Sequence, residues 1–286
     1  MKNKKYIVKS PLRYPGSKQK FCNTLADILK ANKIKPELFI EPFAGGASIS
    51  LYLLQNNLVH KIALIEKDPL LASFWKTVFF DSEWLIKEVE RIDVSLKKWH
   101  FFKNYNPRTI RNKALKCLFL NRTNFSGILK AGPIGGQKQI SNYKIDCRFN
   151  KKALIKKIEI LASYKEKILF IEEGDYNCVI NDKSISFPAE TFFYFDPPYV
   201  NKAKNLYNFY FTDADHISLK NFISNLSSNW LLSYDYEPPV HELYSTFSNS
   251  GFFNITYTAR ATKIKNRPLK KEFIASNLDI SFISNT

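Results

Sequence analysis

Two apolar patterns alternate along this chain: short, nearly unbroken apolar runs, and longer stretches in which apolar side chains return every three or four residues. The first marks strands buried on both faces, the second helices laid against them. Leu38 to Glu41 reads as a strand, followed by Pro42-Phe43-Ala44-Gly45-Gly46 and a helix from about Ala47 to Gln55. Lys61 to Ile65 reads as a second strand ending at Glu66, with a helix from about Pro69 to Phe79 behind it. Between residues 80 and 150 the alternation breaks. Helices near Glu83 to Arg91 and Asn112 to Leu120 lead there into a glycine-bearing loop, Gly127 to Gly136. It resumes with a helix near Lys152 to Tyr164, a strand Ile168 to Ile171, a strand Thr191 to Phe195, a helix near Ala214 to Leu226 and a strand Trp230 to Tyr234. Phe252 to Thr258 and Glu272 to Asn277 read as a closing hairpin. The expectation is an α/β fold with a helical insertion.

The strand at Thr191 to Phe195 stops abruptly in Asp196-Pro197-Pro198-Tyr199. An apolar strand carries the acid to the carboxyl edge of a sheet, where open α/β folds bind ligands, and the prolines stiffen the exit. Asp196 and the carbonyl of Pro197 can each accept one N–H of a planar exocyclic amine while Tyr199 stacks on the ring that bears it. The competing reading is a plain turn with Asp196 as its cap. The turn Phe43 to Gly46 adds backbone that a ligand can approach closely, but its spacing is not that of a pyrophosphate-binding loop. Glu66, at the end of the second strand, suits hydrogen bonds from two ribose hydroxyls, or serves as an acid opening the next helix.

Charge sharpens the picture. Of 286 residues, 43 are Lys or Arg against 26 acids, a formal charge of +17, which points to a polyanion. The abundance of Lys, Asn, Ile and Phe also fits an AT-rich coding sequence, so clustering weighs more than the total. Lys97 to Lys116 holds seven basic residues and no acid, interleaved with Trp99, Phe101, Phe102 and Tyr105. That mixture suits a surface touching phosphates and bases, or a solvated helix face. The hairpin connector gathers Arg260, Lys263, Lys265, Arg267, Lys270 and Lys271. Cys22, Cys117, Cys147 and Cys178 are too scattered for a zinc site or a disulfide framework, and read as free thiols in a reducing cytoplasm. No run is long enough to span a bilayer, and the start of the chain has no apolar secretory core.

Taken together, these motifs resemble the Dam-like (D12 class) DNA adenine-N6 methyltransferases over nearly the whole length. Arg13-Tyr14-Pro15-Gly16-Ser17-Lys18 stands in place of that family's amino-terminal cofactor segment, with Tyr14 and Lys18 at its aromatic and final lysine positions. Glu41 to Gly46 matches its Glu-Pro-Phe-x-Gly-Gly turn, Glu66 its acidic ribose ligand, usually Asp, and Asp196 to Tyr199 its catalytic tetrapeptide. Asn121-Arg122-Thr123-Asn124-Phe125-Ser126-Gly127 resembles the target-recognition segment, with Phe125 at the position of an aromatic wedge. Lys130 stands where members that methylate GATC carry a guanine-reading Arg.

The resemblance implies a Rossmann-like S-adenosylmethionine-dependent methyltransferase core, residues 1–79 and 151–286, with a helical target-recognition insertion at 80–150. It implies S-adenosylmethionine held by Tyr14, Lys18, Glu41, Phe43, Gly45, Glu66, Asp175, Tyr176 and Asp196, and catalysis by Asp196, Pro197 and Tyr199. Double-stranded DNA would be met by Arg122, Asn124, Phe125, Ser126, Lys130, Arg260, Lys263, Lys265 and Arg267. No metal or membrane is implied, and a cognate restriction endonuclease encoded nearby would not need a stable complex. Adenine N6, its lone pair conjugated into the ring, would be made nucleophilic by Asp196 and the Pro197 carbonyl and attack the sulfonium methyl directly, the base having left the helix. Methylation of cytosine N4, an RNA adenine or a protein amide competes with this reading, as does a non-catalytic DNA-binding protein on the same fold.

Overall fold

A computed structural model describes residues 7–13, 18, 21–183, 187–198, 211–235, 237–247, 249–255 and 270–283. Its centre is a seven-stranded sheet of order β3-β2-β1-β4-β5-β7-β6. The strands are β1 (Leu38–Glu41), β2 (Lys61–Glu66), β3 (Ile168–Glu173), β4 (Thr191–Phe195), β5 (Asn229–Asp235), β6 (Asn249–Ile255) and β7 (Lys270–Ser276). Strands β1 to β5 run parallel, and β7 adds antiparallel to β5 with β6 at its outer side. The order reverses between β1 and β4, so their carboxyl ends open a crevice where ligands bind in such sheets.

Strand residues alternate between two cores, as a pleat requires. Phe39, Ile62, Leu64, Phe192, Tyr194, Leu231 and Ile274 face one side. Leu38, Ile40, Ala63, Ile65, Phe193, Phe195, Leu232, Tyr234 and Phe273 face the other. Burial on both faces explains why the parallel strands carry continuous apolar runs, each buried Phe contributing about 1.5–3 kcal/mol.

The first core is roofed by α1 (Phe21–Ala31), α2 (Ser48–Gln55), α3 (Pro69–Phe80) and α7 (Lys151–Ala162), the second by α8 (Tyr176–Lys183), α9 (Asp213–Ser224) and α10 (Pro238–Tyr244). Local chemistry sets several helix starts. Asp68 accepts the Leu70 N–H before Pro69, Asn150 accepts the Ala153 N–H, and Thr212 with Asp215 forms a reciprocal capping box. Helices α1, α8 and α10 were not expected from apolar spacing; α8 and α10 are short.

Between α3 and α7 lie α4 (Ser82–Arg91), α5 (Leu96–Asn104) and α6 (Ile110–Thr123). Leu85, Val89, Trp99, Phe102, Leu118 and Phe119 join the same core as Phe39 and Tyr194, so these helices extend the main core. The Lys97 to Lys116 stretch is corrected here. Trp99 is only 4% exposed and Phe102 is buried, while Phe101 remains at the surface. Its cations are largely spent on the protein: Lys116 on the Tyr105 carbonyl, Arg111 on Asp81 and Lys113 near Glu173. The spacing of Trp99 and Phe102 is that of a helix turning its aromatics inward, not of a stacking platform.

Candidate active site

Asp196 leaves the end of β4 beside β1, at the point where the strand order reverses. Two residues after Tyr194, it shares the face of the first core. Its Oδ1 lies 3.2 Å from Lys18 Nζ and 3.3 Å from Ser233 Oγ on β5, whose hydroxyl is 2.7 Å from the Tyr194 hydroxyl. Lys18, just ahead of α1, is also 2.6 Å from Glu272 Oε2 on β7. Burial pushes the Asp196 carboxyl above its ordinary value, and the Lys18 ammonium opposes that. Both contacts converge on Oδ1, leaving Oδ2 uncommitted among the described residues. Pro197 is buried; Tyr199 and Tyr14 lie outside the described residues.

The glycine turn is tied down from three directions. Ala44 N–H donates to the Ile65 carbonyl, Gly45 N–H to Glu66 Oε2 at 2.7 Å, and Trp75 Nε1 to the Gly45 carbonyl at 2.9 Å. Gly45 and Ala47 both sit at positive φ, 44° and 48°, so the chain turns sharply before α2. Glu66 takes the Asp68 N–H on its other oxygen, 2.9 Å away, and burial pushes its carboxyl up to about 7. Each carboxylate oxygen keeps a further lone pair, so the ribose role expected of Glu66 is compatible with these bonds.

Glu41 is different. It is 4% exposed, and its Oε2 accepts from both Ser50 N–H, at 3.2 Å, and Ser50 Oγ, at 2.5 Å. Burial pushes it up to about 8. The expectation of cofactor contact is therefore corrected: Glu41 anchors the first turn of α2 from below.

An aromatic wall stands beside the turn. The rings of Phe43 and Tyr176 are 5.3 Å apart, and Phe211 meets Phe43 edge-on at 5.5 Å. Asp175 caps α8 by accepting the Asn177 N–H, and its other oxygen is 3.1 Å from Lys67 Nζ. Lys18, Phe43, Gly45, Glu66, Asp175, Tyr176 and Asp196 thus occupy the loops and edges at the carboxyl ends of β1 to β4.

The Asn121 to Gly127 segment closes α6 and opens a loop at whose base Phe125, 54% exposed, donates its N–H to the Gly132 carbonyl. Ser126, partly buried, sits at φ 54°. Asn124 does not reach the surface. It is 0% exposed, accepts from Trp99 Nε1 at 2.6 Å, and donates to the carbonyls of Ile128 and Leu129, so its expected DNA contact is corrected to an internal brace. Lys130 is exposed, and its carbonyl, with those of Leu129 and Ala131, accepts from Lys103 Nζ at 2.7–3.3 Å. Gly127 is required: at φ 78°, a Cβ there would meet the Arg13 carbonyl oxygen at 2.1 Å.

Cationic charge concentrates behind this loop. Arg122 is held down to about 10 by burial and by Arg13 and Arg148, and Lys157 is lowered by burial and by Arg122 and Lys9. Among the described residues, the charges that act on them are mainly cationic. Arg122 Nη1 is 3.4 Å from the Pro11 carbonyl, while its buried Nε has no hydrogen-bond partner among the described residues. Arg260, Lys263, Lys265 and Arg267 lie outside the described residues.

Sequence reasoning missed Ser233, Tyr194 and Glu272. For Ser233 and Tyr194 the signal was a polar group inside a largely apolar strand, which needs a buried partner; Glu272, after two lysines, carried none. It also missed Lys103, whose role depends on a loop 26 residues away.

A sheet of this order, parallel except for β7 and β6, with a glycine turn and acids at its carboxyl edge, is consistent with an S-adenosylmethionine-dependent methyltransferase core. The family profile described as D12 class N6 adenine-specific DNA methyltransferase matches residues 14–264. The chain belongs to that family. It is 28% identical over 249 residues to the Type II methyltransferase M.MjaIII of Methanocaldococcus jannaschii, covering 77% of this chain and 80% of that one. It is 23% identical over 217 residues to the Type II methyltransferase M.CviBI of Paramecium bursaria Chlorella virus NC1A, covering 75% and 79%. Among the described residues no helix is long and apolar enough to cross a membrane, and no cluster of His, Cys, Asp and Glu could hold a metal.

Proposed function

We propose that this enzyme methylates N6 of an adenine within a defined sequence of double-stranded DNA, the base turning out of the duplex into the crevice between β1 and β4. The observation that carries this reading is Asp196, fixed through Oδ1 at the strand-order reversal. Asp196 Oδ2 accepts one N–H of the exocyclic amine and the Pro197 carbonyl accepts the other, which draws the lone pair out of conjugation. Tyr199 stacks on the base.

The residues at the crevice fit the donor expected of this fold, S-adenosylmethionine. Glu66 has lone pairs for two ribose hydroxyls, the positive-φ backbone at Gly45 leaves room for close approach, and Phe43 and Tyr176 offer apolar faces to an adenine. When bound, the donor supplies an electrophilic methyl carbon. Lys18 holds Asp196 in place during the transfer, and Asp196 carries the negative charge opposite the amine as its nitrogen gains positive charge.

Residues 80–150 are assigned to target recognition. Phe125 serves as the exposed wedge, Ser126 and Lys130 follow it in the same loop, and Arg122 with Arg13, Arg148 and Lys157 faces the phosphate backbone. Arg260, Lys263, Lys265 and Arg267 complete the grip on DNA. Both named relatives are Type II methyltransferases, which favours a role as the modifying half of a restriction-modification pair in the cytoplasm.

The test is to incubate purified enzyme with unmethylated DNA and S-adenosylmethionine, digest to nucleosides and identify the product by mass spectrometry. N6-methyladenine that vanishes in Asp196→Ala, with DNA binding retained, is the expected outcome. N4-methylcytosine, or a variant of near-normal turnover, would overturn the assignment.

A further inference from the structure

The ion cluster behind Asp196 contains one group that the transfer as proposed leaves unused. Glu272 is 0% exposed, on β7, two strands away from Asp196, yet it is the nearer partner of Lys18: 2.6 Å against 3.2 Å. Sheet register brings it there. Glu272 is paired opposite Asp235 and lies two residues before Ile274, so it faces the same core as Tyr194 and α1. An ammonium and two carboxylates enclosed together are costly to bury unless each keeps a partner, so a structure retaining all three has committed polar groups to one geometry. Among the described residues, the charged and polar groups coupled to Asp196 are Lys18 ahead of α1, Glu41 on β1, Tyr194 on β4 and Ser233 on β5, while Glu272 on β7 acts on Lys18.

We propose that Glu272 is a positioning residue for methyl transfer, holding the Lys18 ammonium so that the lysine fixes one oxygen of Asp196 and the other is presented to the substrate amine. The inference rests on the reading that Asp196 accepts that amine. Without the Glu272 charge, the Lys18 ammonium would act more fully on Asp196. A carboxylate neutralised in that way is a weaker acceptor, and it holds its negative charge to lower pH. Both effects trace to a residue that never touches the substrate.

Glu272→Gln keeps the shape and an acceptor but removes the charge. Expected are a fall in kcat of about tenfold, little change in KM for DNA, and an acid limb of the kcat–pH profile displaced to lower pH; Glu272→Asp should recover part of the rate. A merely structural role would lower Tm without moving the acid limb. Wild-type kcat and acid limb in Glu272→Gln, whatever its Tm, would overturn the proposal. Should that variant not fold, the double variant Lys18→Met with Glu272→Met replaces the ion pair by apolar volume. It should lose about a hundredfold in kcat with its acid limb displaced to higher pH, since burial of Asp196 is then unopposed. Wild-type behaviour there would equally sink the proposal. Asp196→Ala run alongside separates the two levels. If it is inactive and Glu272→Gln is unchanged, only the role of Glu272 falls; if it retains turnover, the amine reading and this inference fall together.

Discussion

Asn121 takes both backbone groups of Arg13: its Oδ1 accepts the Arg13 N–H at 2.7 Å and its Nδ2 donates to the Arg13 carbonyl at 3.0 Å. The same Nδ2 donates to the Gly127 carbonyl at 2.9 Å. One buried amide at the end of α6 thus ties the segment leading to Lys18 to the loop that carries Phe125, so the two ends of the proposed site share one anchor.

Asn121→Ala should therefore cost roughly 2–4 kcal/mol, because buried backbone groups of Arg13 and Gly127 lose their partner. Urea unfolding measures the loss directly. A variant within about 0.5 kcal/mol of wild type would mean that water replaces the amide without penalty.

Lys103 gathers three carbonyls, those of Leu129, Lys130 and Ala131, and thereby shapes the loop that presents Lys130. Lys103→Met should reduce discrimination between the cognate site and a single-base variant by about tenfold, a mismatch ordinarily being worth 1–3 kcal/mol. Competition binding with the two duplexes, at fixed salt, reads this out. Equal loss on both duplexes would assign Lys103 to general affinity instead.

Trp75 supports the glycine turn from within the core through its bond to the Gly45 carbonyl. Trp75→Phe leaves that carbonyl unpaired, at a cost of about 1 kcal/mol, and should weaken donor binding about fivefold while leaving DNA affinity unchanged. Calorimetric titration with S-adenosylmethionine and with DNA separates the two.

Glu41 gives a pH prediction. Burial raises its carboxyl from an ordinary 4.5 to about 8. Between those values the folded chain holds a proton that the unfolded chain has released, so its contribution is full below the lower value and fades as pH rises through the upper one. Glu41→Gln removes the titration, so wild type should lose stability relative to that variant as pH climbs across the window. Parallel stability curves for the two proteins would show that Glu41 stays ionised against α2.

The sequence made β1, β2, β4 and β5 legible because burial on both faces leaves unbroken apolar runs, and the acids ending β1, β2 and β4 stood out as the first polar residues after them. Asp196 and Glu66 were singled out as candidates in that way. Glu41 was found but misread: whether a strand-end acid points outward or is enclosed beneath a helix depends on Ser50, nine residues on. Trp99 and Asn124 were misread for the same reason, since their bond to each other is long-range and polar residues near an aromatic look alike whether exposed or paired. The α5 helix was hidden by its charge, and the link from Lys18 to Glu272 spans 254 positions, beyond any local pattern.

That α4, α5 and α6 share their apolar contacts with the sheet has a consequence for how such an enzyme acquires a new target. Exchanging residues 80–150 as a cassette would strip Phe74, Val78 and Phe79 of α3 of the side chains that share their core. On the proposed reading of residues 80–150, new specificity would come by substitution at exposed positions such as Phe125 and Lys130, on a framework held by the shared core. Engineers transplanting specificity between relatives would do better to graft those few loop positions than to splice chains at residues 80 and 150.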